Sequence, residues 1–324
     1  MTRSLACWIG SGLLLLGVGA EVRAAEKADA PHVAFISGDE EYRSEESLPM
    51  LAKILRERHG FRVSVCYALN EEGRIDPNTL TNIAGLSALD DADLVVMYTR
   101  FRKLPEHQLE RIKAYAESGK PLMGFRTATH AFRYDGGPLA AEMNEAWERK
   151  VFGQKWITHH GHFGDGEEML TSVSINTPEA GHPILRGVQP FEVYSWLYHV
   201  EGGGDSLEGD CDKLLIGKAL KSGHAKEFDR FPQTNPVAWT KTYTGASGKP
   251  ARVFFTTLGH PFDFRAESMR KLALNGVFWA LGLEDRIPAE GVQADFVGPY
   301  EPNNSGVGGY KKDLEPAFLA DPKS

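Results

Sequence analysis

Two side chains suited to acid/base chemistry and one suited to binding oxyanions follow two short apolar runs of the sequence. Arg126 and His130 come directly after the run 122–125, and His260 follows the run 252–258. An unperturbed imidazole titrates near neutral pH, so both histidines are candidates for proton transfer. A guanidinium forms planar, paired hydrogen bonds, so Arg126 is the candidate for holding a carboxylate or the oxygens of a sugar. An internal ion pair for Arg126 and structural roles for both histidines stay open as alternatives.

A second polar cluster, Asp39, Glu40, Glu41, Tyr42 and Arg43, follows another apolar run. It combines carboxylates, a phenol and a guanidinium, a mixture that suits the hydroxyl groups of a sugar. We therefore predict substrate-binding roles for Asp39, Glu40, Tyr42 and Arg43. The alternative is that the acids only stabilise the N-terminus of the following helix, and both roles can hold together.

Further candidates lie later in the chain. His160 and His162 share one side of an extended segment, so His160 is a candidate for substrate binding and the two together for a metal site, completed by His130 or His260. The alternative is a simple turn, so a divalent metal stays open and no cofactor is predicted. Trp239 is a candidate for stacking on a pyranose ring, although aromatic residues on strands more often belong to the core.

Alternating strands and helices position the first of these residues. Apolar runs predict strands at 32–37, 61–67, 94–98 and 122–125, and amphipathic spacing predicts helices at 44–59, with Ser44 as N-cap, and at 105–118. This order implies right-handed crossovers and a mostly parallel α/β sheet with helices on both faces. Ligands gather beyond the carboxyl ends of such strands, so residues 39–43 and 126–130 are expected on one rim.

The second half of the chain has a different pattern. Strands are predicted at 169–175, 191–198, 214–219, 237–243 and 252–257, with helices at 139–150 and 267–281. No long helix separates most of these strands, so extra antiparallel pairing is expected. The prediction is one α/β domain at 26–287. A Pro-, Gly- and Asn-rich extension at 288–324 is expected to be loosely structured or to wrap the surface.

Composition and the N-terminus restrict location and partners. The 324 residues are 42% hydrophobic with a formal charge of -8, and no basic stripe indicates nucleic-acid binding. Arg3 followed by the apolar run 5–18 indicates a signal peptide at 1–25, and no later run is long enough to span a membrane. A secreted or periplasmic protein is predicted, and a homo-oligomer stays open. Cys66 and Cys211 are expected to stay unpaired, with a disulfide as the alternative.

The motifs together resemble the ThuA-like family, which is named for trehalose utilisation. The resemblance covers about residues 32–282 and is carried by 37–43 (SGDEEYR), 124–129 (GFRTAT), 182–184 (HPI), 236–239 (PVAW) and 252–260 (RVFFTTLGH). It implies a flavodoxin-like, doubly wound sheet of the class I glutamine amidotransferase type. It also implies a role in carbohydrate processing.

The sequence departs from that family's pattern on the turn after the fourth strand. Arg126 stands where the family usually has a histidine, and His130 stands where an acid or a small residue is expected. Ser195 and Trp196 replace an Asp-Glu pair of the family. The turn carries no cysteine, so glutamine amidotransferase activity is excluded.

The leading hypothesis is an exported enzyme that processes a small carbohydrate, a glycoside or a keto-sugar, by general acid/base chemistry. In this hypothesis His130 and His260 move protons and Arg126 stabilises negative charge. One alternative is a non-catalytic sugar-binding or accessory protein. Another is a metal-dependent hydrolase.

Overall fold

The computed structural model describes residues 30–162 and 168–320 together with Met1. Apart from Met1, the predicted signal peptide lies outside the described residues. The helices of the described part are all too short or too polar to cross a membrane.

The first half of the fold alternates strands and helices as the sequence predicts. Its elements are β1 (His32–Gly38), α1 (Ser44–His59), β2 (Arg62–Tyr67), β3 (Leu94–Thr99), α2 (Glu106–Glu117) and β4 (Leu122–Phe125). All residues of β1, β3 and β4 are buried. Burial on both faces explains why these strands read as continuous apolar runs in the sequence.

Among its described residues, the second half contains short helices, five strands and one longer helix. Its elements are α3 (Gly137–Ala140), a π-helical stretch (Ala141–Ala146), α4 (Trp147–Phe152), β5 (Thr171–Ile175), β6 (Phe191–Val193), β7 (Asp212–Ala219), β8 (Thr234–Thr244), β9 (Pro250–Thr256) and α5 (Glu267–Ala280). The predicted helix at 139–150 is therefore interrupted by a π-helical stretch.

In the described residues the strands form one mixed sheet in the order β2-β1-β3-β4-β9-β8-β7-β5-β6. Strands β2, β1, β3, β4 and β9 are parallel neighbours. The pairs from β9 through β8, β7 and β5 to β6 are antiparallel. The α/β class and the antiparallel strands of the second half are confirmed. The prediction of a mostly parallel sheet is wrong, because half of the strand pairs in the described sheet are antiparallel.

Helices cover both faces of the sheet, as predicted. One hydrophobic core includes Leu48 and Leu55 of α1 together with Leu272 of α5. The core on the opposite face includes Leu109 of α2 and Val151 of α4. The sheet edge that carries the loops is therefore fixed by packing on two sides.

Ser44 is not the N-cap that the sequence indicates. The cap residue is Arg43, in a left-handed conformation with φ 57°, and α1 begins at Ser44. The Ser44 hydroxyl instead bonds to the hydroxyl of Ser37 at 2.9 Å and accepts from the backbone N–H of Asp39 at 3.2 Å. Ser44 thus ties the end of β1 to the start of α1.

The C-terminal extension is irregular in backbone but packs against α1 and β2. The N–H of Val65 donates to the carbonyl of Phe318 at 3.0 Å, and the hydroxyl of Tyr67 donates to the carbonyl of Ala317 at 2.8 Å. The extension therefore covers part of the outer edge of the sheet at β2, which shields that part from other chains.

The two cysteines of the described region are both unpaired. Cys66 is fully buried in β2 and Cys211 is half-buried. The expectation of unpaired thiols is confirmed.

We expect Gly124→Ala to lower the free energy of unfolding by about 2 kcal/mol, because overpacking a core forces neighbours to move. A Cβ at Gly124 in β4 lies 2.7 Å from the ring of Phe255 and 2.9 Å from that of Phe152. Gly181→Ala is the matched control, because a Cβ there meets no atom within 4 Å. Urea unfolding measures both variants, and equal midpoints for the two contradict the packing argument.

Candidate functional site

Four loops meet at one edge of the sheet, and we call them together the mouth. They are residues 39–43 after β1, 100–103 after β3, 126–130 after β4 and 257–260 after β9. These strands are parallel neighbours, so their carboxyl ends lie side by side. The expected shared rim of residues 39–43 and 126–130 is therefore present.

Arg126 lies at the centre of the mouth and is fully buried. Its Nη1 donates to the carbonyls of Thr257 at 2.9 Å and Trp196 at 3.3 Å, and its Nη2 donates to the hydroxyl of Tyr42 at 3.0 Å. The guanidinium lies over the rings of Tyr42 and Tyr198, at 4.1 and 4.5 Å from their centroids. Its Nε has no hydrogen-bond partner among the described residues.

The acidic side chains beside Arg126 are paired elsewhere. Glu40 forms ion pairs with Arg100 and Arg102, and Glu41 lies 3.1 Å from Nε of Arg100. Within the described residues Arg126 has no carboxylate within ion-pair distance, so the alternative of an internal ion pair is wrong. Burial raises the pKa of Glu41, and the positive charges of Arg100 and Arg126 partly oppose this increase.

Asp39 organises the first loop rather than facing outward. One of its carboxylate oxygens accepts from the backbone N–H groups of Glu41 at 2.6 Å and Tyr42 at 2.8 Å. The other accepts from the hydroxyl of Thr127. Asp39 is fully buried, so it links the loop after β1 to the loop after β4.

His130 lies in an aromatic enclosure on one side of Arg126. Its ring centroid is 5.0 Å from Phe101, 5.1 Å from Trp156 and 6.2 Å from Tyr198. Burial, followed by the charges of Arg100 and Arg126, lowers the pKa of His130 well below its usual range. The imidazole is therefore neutral at neutral pH, and its buried Nδ1 has no partner among the described residues.

His260 lies on the other side of Arg126 with both ring nitrogens bonded. Nδ1 accepts from the backbone N–H of Phe262 at 3.1 Å, so in the neutral ring the proton is on Nε2. Nε2 then donates to the hydroxyl of Ser305 at 2.9 Å. Burial, followed by the charge of Arg126, lowers the pKa of His260 to about 3. His260 is thus a neutral hydrogen-bond donor and does not activate Ser305 as a nucleophile.

Shared neighbours join the three predicted catalytic side chains. Arg126 and His260 both contact Tyr42, whose ring is 6.3 Å from that of His260. Arg126 and His130 both contact Tyr198. The structure therefore brings Arg126, His130 and His260 together in one mouth.

A second buried carboxylate, Asp263, fixes the far wall of the mouth. It accepts from the N–H groups of Tyr194 at 2.8 Å, Ser195 at 3.2 Å, Gly259 at 3.1 Å and His260 at 3.0 Å. These bonds draw residues 194–198 out of the sheet and across the mouth. The predicted strand at 191–198 is therefore too long, and β6 ends at residue 193.

A segment of the C-terminal extension, residues 303–309, covers one side of the mouth, and we call it the strap. Arg43 holds the strap by donating to the carbonyls of Asn304, at 3.0 Å, and Gly306. The N–H of Gly306 donates to the carbonyl of Glu41 at 2.7 Å. The predicted substrate-binding role of Arg43 is therefore corrected, because its fully buried side chain holds the strap.

The described side-chain contacts of His160 lie away from the mouth. The Nδ1 of His160 bonds to the hydroxyl of Ser222 at 2.7 Å, and its ring lies 5.6 Å from that of His224. His162 is exposed, and among the described residues no three His, Cys, Asp or Glu side chains are placed to hold a metal ion. Adjacent residues of an extended segment point to opposite sides, and it is His159 that stacks on Trp196, at 4.4 Å.

Trp239 is fully buried and belongs to the core. Its Nε1 donates to the carbonyl of Phe152 at 2.7 Å, and its ring lies 4.9 Å from that of Phe255. The predicted stacking role is corrected, because no face of the indole is open to a sugar.

Several residues of the mouth escaped sequence reasoning. Arg100 follows β3 as Arg126 follows β4, so the rule of carboxyl strand ends could have found it. Tyr198 is the last residue of the strand predicted at 191–198, so the sequence places it in the sheet. Ser305 had no sequence signal, because only the folded path of the extension brings it to His260.

The fold and the mouth define an α/β protein with polar groups gathered at the carboxyl edge of parallel strands. A family model described as trehalose utilisation, ThuA, matches residues 32–280. The chain belongs to the ThuA family, which confirms the resemblance and indicates a role related to sugar utilisation. No curated protein matches the chain.

Solved structures with low sequence identity were also found. A ThuA-like protein from Parabacteroides merdae is 16% identical, with 88% of this chain and 99% of that chain covered and a TM-score of 0.47. A ThuA-like protein from Bacteroides uniformis is 14% identical, with 78% and 92% covered and a TM-score of 0.47. An exo-β-1,4-mannosidase from Opitutaceae bacterium strain TAV5 is 11% identical, with 82% and 38% covered and a TM-score of 0.36.

We expect His260→Asn to flatten the dependence of unfolding free energy on pH. The pKa of His260 is lowered to about 3 in the folded state, so below pH 6.5 the unfolded chain binds the additional proton. The contribution of His260 to stability is therefore complete above pH 6.5 and is lost as the pH falls toward 3. The loss amounts to at most about 1.4 kcal/mol per pH unit.

Asparagine retains an acceptor for the N–H of Phe262, so the cap of the following turn is kept. Urea unfolding of wild type and variant at pH 7, 6 and 5 measures the difference in unfolding free energy between them. This difference should become smaller as the pH falls. Parallel stability curves over this range contradict the neutral assignment of His260.

Proposed function

We propose that this ThuA protein is an exported enzyme that processes a small carbohydrate, a glycoside or a keto-sugar, by general acid/base chemistry. The observation that carries the proposal is a buried guanidinium, Arg126, without a carboxylate partner in the described residues and flanked by two neutral imidazoles. Export is supported by the signal-peptide pattern at residues 1–25.

Arg126 supplies fixed positive charge. Its bonds to carbonyls and to the hydroxyl of Tyr42 hold the guanidinium in place without neutralising it. A preorganised charge in a site that excludes water stabilises an oxyanion more strongly than the same charge in bulk solvent. An enolate oxygen of a keto-sugar or an alkoxide of a glycoside is such a group.

The two histidines have different roles in this proposal. His130 is the base, because it is neutral and its Nδ1 has no partner in the described residues. His260 is a neutral donor through Nε2, which now bonds to Ser305. A hydroxyl of the substrate takes the place of the Ser305 hydroxyl when the sugar binds. Glu41, whose pKa burial raises, is a further group able to hold a proton.

Access to these groups requires a movement of the strap. Tyr42, Tyr198, His130 and His260 are 4 to 6% exposed, and Arg126 is 0% exposed. The strap covers His260 through Ser305 and covers the loop after β1 through Gly306. Its displacement opens the mouth on the side of Tyr42 and Glu41, where the sugar hydroxyls then find donors and acceptors.

A non-catalytic sugar-binding protein is the second candidate function. It is favoured by the low pKa of His260, because a group that remains neutral cannot deliver a proton efficiently near neutral pH. Calorimetry and product analysis with trehalose, maltose and cellobiose and with their 3-keto forms separate the two candidates. Binding without any product favours the second.

We expect Arg126→Gln to reduce turnover of a substrate found in that screen by about 100-fold or more, which is typical of losing one oxyanion-stabilising group. Arg126→Lys keeps the charge and should retain intermediate activity. Near-UV circular dichroism shows whether each variant is folded. A folded Arg126→Gln variant with unchanged kcat excludes the role proposed for this residue.

We expect His260→Asn to lose about tenfold or more in kcat/KM, because a donor to a charged or polarised oxygen contributes about 1.5 to 3 kcal/mol. His182→Asn is the matched control. His182 also precedes a proline and accepts from a backbone N–H two residues on, that of Ile184 at 3.2 Å, but it packs on Trp279. Equal losses in both variants indicate a structural effect and exclude His260 from the reaction.

A further inference from the structure

A cavity of about 550 Å³ opens beside the mouth. It is lined partly by Arg100 and Phe101, which belong to the loop of the mouth that follows β3. The other lining residues are Glu40, Leu80, Thr81, Lys103, Arg133 and Asp135. The volume lies within the range of small-molecule sites in proteins, about 300 to 1,000 Å³.

The walls of this cavity are held in place by buried hydrogen bonds. The fully buried Arg102 donates to the carbonyls of Arg100 at 2.7 Å and Pro77 at 2.9 Å. The N–H of Lys103 donates to the carbonyl of Leu80 at 2.9 Å. The cavity is therefore preformed, which reduces the entropy cost of binding.

Phe101 separates the cavity from the mouth. Its backbone has φ 51°, an uncommon conformation for a bulky residue, and its N–H donates to the carbonyl of His130 at 3.0 Å. Its ring lies 5.0 Å from the ring of His130 and also carries two guanidinium groups, Arg100 at 4.4 Å and Arg133 at 5.3 Å. One side chain thus connects the proposed base to a pair of cations.

The cations of the cavity are not equally neutralised. Lys103 pairs with Asp135, and Arg100 pairs with Glu40 and Glu41. Arg133 is exposed and forms no ion pair within the described part of the chain. Its guanidinium is held near Phe101 and remains available to an anion, for which its planar fork is suited.

We propose that this cavity is a second sugar subsite, selective for a saccharide unit that carries a carboxylate or a sulfate group. This inference rests on the proposed function. The reacting unit lies in the mouth at His130, and the anionic unit lies beyond Phe101 with its charged group on Arg133. The same cation accepts a carboxylate or a sulfate, so the probes must include both.

The test is calorimetry of the full chain with three disaccharides at two salt concentrations. The probes are cellobiose, its counterpart with a terminal glucuronate, and cellobiose 6′-sulfate. Wild type should bind at least one anionic probe about tenfold more tightly than cellobiose, or more, since a hydrogen bond to a charged group contributes about 1.5 kcal/mol or more and 1.4 kcal/mol is tenfold. The preference should shrink at high salt.

Arg133→Gln should abolish the preference for the anionic probes over cellobiose. Arg58→Gln is the matched control. Arg58 is an exposed arginine in the last turn of α1, at the opposite edge of the sheet, and its substitution removes the same charge. If wild type binds all three probes with equal affinity, this inference alone is overturned. It is also overturned if Arg133→Gln and Arg58→Gln lose affinity for the anionic probes equally. If none of the three probes binds, and none of the disaccharides or 3-keto forms of the earlier screen binds, the proposed function and the subsite are overturned together.

Discussion

The arrangement of the mouth depends on a buried positive charge that has no carboxylate within ion-pair distance in the described residues. Removing a guanidinium from water is costly, and proteins usually offset the cost with an ion pair. Arg126 is stabilised instead by two backbone carbonyls, a phenol oxygen and the faces of two tyrosine rings. These groups are dipoles and quadrupoles, so they solvate the charge without cancelling it. Both neighbouring imidazoles are neutral in part because this charge opposes their protonation.

Two buried carboxylates make that arrangement rigid. Asp39 joins the loops after β1 and β4, and Asp263 joins the loop after β9 to residues 194–198. Each carboxylate accepts hydrogen bonds from N–H and O–H groups, and neither forms an ion pair with Arg126. The acids nearest to Arg126 are drawn away by Arg100 and Arg102. The positions of the charges therefore follow from which loops they connect.

The sequence predicts the strands, the main helices and the shared edge, because these depend on local periodicity and on the rule that parallel strands end together. Arg126, His130 and His260 were predictable for the same reason, since each follows a strand of that edge. Trp239 and Arg43 were misassigned because a side chain's type does not reveal whether its partner is solvent, core or a distant carbonyl. Sequence does not predict that His159, rather than His160, stacks on Trp196, because alternation along an extended segment leaves the facing side undetermined. Residues 194–198 and Ser305 depend on hydrogen bonds across 45 residues or more, which no local pattern contains.

The path of the C-terminal extension shows that the folded unit extends beyond the boundary of the family match. The family match ends at residue 280, yet Ser305 bonds to His260 and the carbonyl of Phe318 accepts a backbone hydrogen bond from Val65 of β2. A fragment trimmed to the family boundary keeps every strand but loses one wall of the mouth. It also exposes part of the outer edge of β2, at Val65, and an exposed strand edge is a template for association with other chains. Inactivity or aggregation of such a fragment therefore reflects the missing segment and says little about the chemistry of the intact chain.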